Sequence, residues 1–134
     1  MVDDLPGSVV DVPTDAAPHK AYTALLERGV LGFQACSDCR SAIFPPRGRC
    51  HRCGADALLW RASAGLGTVY SATAITPRVE RSYTVVLIDL DEGYRMMSRI
   101  DRSEVAIGDR VVVDVWTKGE EPLPLFIQTG VSNA

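Results

Sequence analysis

With 134 residues the chain has room for one compact domain, or for one small module fused to another. Its composition is that of an ordinary globular protein, and no apolar run approaches the length that spans a bilayer, which excludes a membrane helix. The formal net charge of -3 and a sequence pI near 5.3 argue against a chain held to its partner by neutralising phosphates.

In chain order, residues 1–17 carry Asp3, Asp4, Asp11 and Asp15 with little periodicity and read as an extended or partly disordered lead-in. Met1 to Gly7 has no basic stretch followed by an apolar run, so no secretory signal is expected, and a reducing, cytoplasmic location is. From residue 18 to residue 29 a short helix is predicted. Ala21, Tyr22, Leu25 and Leu26 recur at helical spacing, Pro18 suits the first turn, and Gly29 supplies the stop. So short a helix must lean on something, and its stripe of Tyr22, Leu25 and Leu26 is the candidate partner interface.

The second segment, residues 30–61, holds all four cysteines of the chain, as Cys36-Ser-Asp-Cys39 and Cys50-His-Arg-Cys53 with ten residues between the pairs. Two residues inside each pair let a tight turn aim both sulfurs at one point. Four thiolates can then hold one tetrahedral zinc ion, as in a zinc ribbon. Two disulfides or four free thiols are the alternatives, and His51 is a lesser candidate ligand. With four sulfurs no coordination position stays open for water, so the zinc is expected to be structural. Few apolar residues flank the knuckles, so the metal should supply much of the folding free energy, about 10 kcal/mol or more at such sites. Arg40, Arg47, Arg49 and Arg52 crowd the same segment and would offset the thiolate charge.

The third segment, residues 62–130, changes to period two. Five strands are predicted, at 68–75, 82–90, 94–100, 111–116 and 125–129. In the first, Val69, Ser71, Thr73 and Ile75 share one face; in the third, Tyr94, Met96, Ser98 and Ile100 oppose Arg95 and Arg99. Asp91-Glu92-Gly93 makes a hairpin turn, and residues 101–108 suffice for one helical turn. A mostly β chain with a short N-terminal helix, a zinc ribbon and a five-stranded OB-fold barrel is the architecture this order describes.

No catalytic constellation stands out: neither His19 nor His51 has a serine or cysteine nucleophile in a recognisable setting, and there is no phosphate-binding glycine loop. No catalytic residue is assigned, and the chain alone is not expected to turn over a substrate. Single-strand nucleic-acid binding by the barrel is the runner-up, disfavoured by the acidic composition and by only nine aromatic residues.

Gly-Val-Leu-Gly-Phe-Gln-Ala-Cys36, Ile43-Phe44-Pro45-Pro46-Arg47, Cys50-His-Arg-Cys53 and Gly65-Leu-Gly-Thr-Val-Tyr-Ser, in that order, resemble the acyl-CoA-associated zinc-ribbon OB-fold family across residues 18 to 128. Departures are Arg40, where glycine is common, and His51, where proline is. The resemblance implies a rubredoxin-like ribbon with Cys36, Cys39, Cys50 and Cys53 on zinc. It also implies an accessory subunit of a thiolase-like, acyltransferase, hydratase or aldolase enzyme of lipid or aromatic-compound metabolism. Such a subunit braces its partner and shapes the acyl-CoA site; Arg47 and Arg49 are then the candidates for CoA phosphates. A free-standing acyl-CoA binder is the other alternative.

Overall fold

The computed structural model describes residues 5–12, 17–78, 82–100, 104–116 and 122–128. The chain is mostly β with one short helix. Strand β1 (Ser8–Val9) is followed by helix α1 (Pro18–Glu27), then by β2 (Gly32–Cys36), β3 (Ala42–Ile43) and β4 (Leu58–Ala62) of the ribbon. Five longer strands come next: β5 (Leu66–Ile75), β6 (Tyr83–Leu90), β7 (Arg95–Ile100), β8 (Arg110–Trp116) and β9 (Leu123–Gln128).

Helix α1 starts with Pro18 at its first position, where the missing N–H costs nothing. It ends on Gly29 at φ +79°, with Gly29 N–H donating to Leu26 O and Val30 N–H to Leu25 O, the paired bonds of a Schellman end. Its stripe is consumed inside the chain. Leu25 and Leu26 are 0% and 2% exposed, and Tyr22 packs edge-on against Phe44 at 5.6 Å. Of the partner surface expected of Tyr22, Leu25 and Leu26, the two leucines pack within the chain and Tyr22 stays partly exposed. The helix meets β2 at Gly32, where any Cβ would fall 2.3 Å from Leu25 Cδ1, so the missing side chain lets helix and sheet approach.

The ribbon sheet runs β1-β4-β2-β3, all antiparallel. The described part of the lead-in includes the two-residue edge strand β1; ahead of it Leu5 is buried, and the guanidinium of Arg61 donates to the carbonyls of Pro6 and Gly7 at 3.0 and 2.9 Å. Arg61 is only 5% exposed, and these carbonyls replace the water its charge has lost.

The second sheet runs β7-β6-β5-β8-β9, antiparallel throughout. Strand β6 alternates strictly, with Thr84, Val86, Ile88 and Leu90 buried. Tyr94, Met96 and Ile100 are buried beside it, while Arg95 and Arg99 face outward. In β5 the expected alternation breaks. Val69 pairs with Ile88 but Ser71 pairs with Leu87, so Tyr70 is an extra, bulged residue and Ala72 replaces Ser71 on the inner face.

The five strands do not close into a ladder-bonded barrel among the described residues. Strands β7 and β9 lie side by side, and the Ser98 hydroxyl donates to the Pro124 carbonyl across the seam. A strand residue points its N–H and C=O to the same edge, so the N–H missing at Pro124 is one that would have faced β7. The predicted helical turn between β7 and β8 is also absent among the described residues. Ile107 and Gly108 form a turn fixed by the Asp109 carboxylate, which accepts from Ala106 N–H and Gln128 Nε2; residues 101–103 lie outside the description.

The ribbon and the second sheet share one core, in which Leu31, Phe33 and Ala35 of the ribbon pack with Val69, Ile88, Val111 and Phe126. No described helix is long and apolar enough to cross a membrane.

Candidate metal centre

The two knuckles are built alike. Cys36 N–H donates to Ser41 O and Cys50 N–H to Ala55 O, at 2.9 and 2.8 Å; Arg40 N–H and Gly54 N–H return to Cys36 O and Cys50 O at 2.7 and 2.9 Å. Reversing the chain after each second cysteine requires the left-handed region, and Arg40 and Gly54 sit there at φ 65° and 79°.

This turn geometry brings the four sulfurs within 4.8 Å of one another. Cys36 and Cys53 sulfurs are 3.6 Å apart, as are those of Cys39 and Cys50. A tetrahedron with Zn–S distances of about 2.3 Å has edges of about 3.8 Å, so the donor set fits one zinc ion. No disulfide joins them, and Cys36 and Cys50 are buried while Cys39 and Cys53 face solvent.

The electrostatics favour a cation. Hydrogen bonding from Ser41 holds the Cys39 thiol down to about 6, near neutral pH. The Ala55 backbone favours the thiolate of Cys53 too, yet its sulfur neighbours, Cys36 first, and burial push it up to about 12. Four negative sulfurs in so small a space need a cation to share. Arg52 N–H points at Cys50 Sγ at 3.3 Å, adding a second-layer donor to the cluster. His51 is exposed and stands outside the sulfur group.

Gln34 was not singled out by sequence reasoning. Its buried amide clamps the loop between the knuckles, donating to Arg47 O and accepting from Arg47 N–H, both at 2.8 Å. A polar residue in the apolar run of β2 is the only sequence signal for it. Arg49 donates to Gly54 O at 3.1 Å. Neither Arg47 nor Arg49 lines the neighbouring cleft of about 480 Å³, where ribbon and barrel face each other. His51, Arg52 and Phe44 line one side of that cleft, with Asp89, Tyr94 and Arg95 on the other.

Two tyrosines of the second sheet carry guanidinium groups. Arg95 lies 3.5 Å over the Tyr70 ring and is paired with Asp89, and Arg99 lies over Tyr83 at 4.8 Å. One face of each of these two rings is thus covered.

Fold and site thus define a zinc-ribbon OB-fold protein whose four cysteines are set for one structural zinc. Residues 23–58 match the ChsH2 rubredoxin-like zinc ribbon domain, and residues 60–115 match the ChsH2 C-terminal OB-fold domain. The chain belongs to this ChsH2 family of zinc-ribbon OB-fold proteins. It is similar to a chain of the solved Ltp2-ChsH2(DUF35) aldolase, with a TM-score of 0.70 and 28% identity over 85% of this chain and 96% of that one. It is also 32% identical, over 102 residues, to a probable enoyl-CoA hydratase alpha subunit of Thermomonospora curvata. That match takes in 71% of this chain but only 32% of the relative's length.

Proposed function

We propose that the chain is a non-catalytic accessory subunit, or accessory part, of an acyl-CoA-processing enzyme, and that it helps shape the enzyme's acyl-CoA site. The observation that carries this is the likeness to the Ltp2-ChsH2(DUF35) aldolase over nearly the whole of that chain. The likeness to a hydratase subunit points to the same chemistry on a different enzyme. In this reading Cys36, Cys39, Cys50 and Cys53 are the four zinc ligands, and the metal braces the ribbon rather than activating water. The chain divides near residue 61, and the second sheet acts as an OB-type barrel whose seam is closed by side chains at β7 and β9. The partner is thiolase-like, hydratase-like or an aldolase, and the joint surface exceeds about 1,000 Å² in total.

For the CoA phosphates, Arg47 and Arg49 remain the proposed contacts. The support is chemical: a guanidinium fork pairs with phosphate through two parallel hydrogen bonds, and both arginines stand in the loop between the knuckles. The chain works in the cytoplasm, where its thiols stay reduced.

Purification from the native host, with identification of what co-elutes in fixed proportion, tests the reading. The expected companion is an acyl-CoA enzyme that loses substrate affinity in the Arg47→Ala complex. Purified chain given a panel of acyl-CoA thioesters should leave them intact. Recovery of single-stranded nucleic acid, or cleavage by the chain alone, would overturn it.

A further inference from the structure

Each knuckle buries its first sulfur and exposes its second. Cys36 and Cys50 are 0% and 2% exposed, while Cys39 and Cys53 face solvent. The two sulfur pairs at 3.6 Å, Cys36 with Cys53 and Cys39 with Cys50, both run across the knuckles rather than within them. Each pair therefore joins one exposed sulfur to one buried sulfur of the other knuckle. An exposed thiolate is open to a two-electron oxidant, whereas a buried one is shielded yet able to attack an oxidised neighbour. The arrangement supplies an attacked sulfur and a resolving sulfur twice over.

We infer that the sulfur cluster is a redox switch in which a hydroperoxide converts the four zinc ligands into two bridges, Cys39–Cys50 and Cys36–Cys53. With hydrogen peroxide, the Cys39 thiolate attacks one oxygen. An S–O bond forms, the O–O bond breaks and hydroxide leaves, giving a sulfenic acid. The Cys50 thiolate then attacks the Cys39 sulfur, an S–S bond forms, the S–O bond breaks and a second hydroxide leaves. Two sulfurs have given up two electrons, and one peroxide has taken them. Cys53 and Cys36 repeat the sequence with a second peroxide. Each bridge withdraws two of the four ligands, so the chain lets go of the ion, and a thiol reductant restores the ligand set.

The switch reaches beyond the ribbon. Cys36 closes β2, whose Phe33 and Ala35 lie in the core shared with the second sheet, and Cys50 packs with Cys36 and Ile43. Oxidation at the knuckles is therefore felt in both sheets. The inference concerns the zinc site alone and stands apart from the acyl-CoA reading, which is tested by what co-elutes.

The experiment is hydrogen peroxide titrated into the zinc-loaded full chain, with the freed ion read by a zinc-sensitive dye. Trypsin separates the possible bridges. Cleavage after Arg28, Arg40, Arg49, Arg52 and Arg61 puts Cys36 and Cys39 on residues 29–40, Cys50 on residues 50–52 and Cys53 on residues 53–61. Release of about one zinc per chain should accompany residues 29–40 joined to both other peptides. Fragmentation should assign Cys36 to Cys53 and Cys39 to Cys50. Reductant with fresh zinc should return the amide-exchange protection of β2 and β6 that peroxide removes. Met97, 66% exposed, serves as the internal clock, since exposed methionine goes to the sulfoxide. Zinc still bound once Met97 is fully sulfoxide overturns the inference. So does any other pairing, such as residues 50–52 joined to 53–61, and so do cysteines recovered as sulfinic or sulfonic acids.

Discussion

Arg40 and Gly54 occupy the same place in the two knuckles but carry opposite backbone costs. Both are left-handed, at φ 65° and 79°, and nothing lies within 4 Å of a Cβ built on Gly54. Gly54→Ala therefore tests the backbone alone and should destabilise the zinc-loaded protein by about 1 kcal/mol, read from the urea midpoint. Arg40→Gly should gain up to about 1 kcal/mol in the same assay, the strain relieved outweighing the added freedom of the unfolded chain. Tyr94 is the other single residue whose cost is visible. Its ring stacks between Phe33 and Phe44 at 4.8 and 5.2 Å, but its buried hydroxyl has no hydrogen-bond partner among the described residues. The nearby Ser63 hydroxyl is committed to Glu92 at 2.7 Å. Removing an unsatisfied buried hydroxyl while keeping the ring should stabilise, so Tyr94→Phe is expected to raise stability by about 1 kcal/mol. A loss of that size instead would mean the hydroxyl has a partner in solution.

Among elements, the contact of α1 with β2 leaves no room for a side chain at Gly32. Leu25 is fully buried over Gly32, and a methyl group there has nowhere to go without moving the helix. Gly32→Ala should cost about 1–3 kcal/mol by overpacking, detectable as a fall in melting temperature. The aromatic layer joining Tyr22, Phe44, Phe33 and Tyr94 adds a dependence on alkaline pH. Burial pushes the Tyr22 phenol up to about 12 and moves Tyr94 in the same direction. An unfolded tyrosine ionises near pH 10, so below that both states hold the proton and stability is level. From about pH 10 to 12 the unfolded chain releases protons that the folded chain keeps, and stability must fall as pH rises. Urea midpoints at pH 9 and pH 11 should show the drop, and Tyr22→Phe should reduce it.

At the scale of the molecule, the ribbon and the second sheet are one folding unit, because Phe33 and Ala35 of β2 sit in the same core as Ile88 and Phe126. Metal free energy at the knuckles is therefore delivered to the second sheet as well. Stripping zinc with a strong chelator, or Cys50→Ser, should lower amide-exchange protection in β2 and in β6 together. Full protection of β6 after zinc loss would show two independent modules, and this account of the core would be wrong.

The amino-acid order alone determined whatever depends on neighbours along the chain. Two Cys-x-x-Cys pairs place sulfurs by local turn geometry, Pro18 and Gly29 bracket a helix, and period two marks five strands whose observed cores match the expected ones. The Asp91-Glu92-Gly93 turn is there too, with Gly93 at φ 104°. What depends on distant surfaces was not legible. The helix stripe announces burial but not against what, and it was the chain's own β2 and Phe44 that covered it. The pairing of β1 with β4, held by Arg61 on carbonyls more than fifty positions away, leaves no periodic trace. The bulge at Tyr70 reverses the inner face of β5 because β6 fixes the register, and the seam at Pro124 exists only where β9 is brought beside β7. Hydrophobic period is written residue by residue, but register and the meeting of strand edges are settled by which surfaces pack together, and only the folded chain decides that.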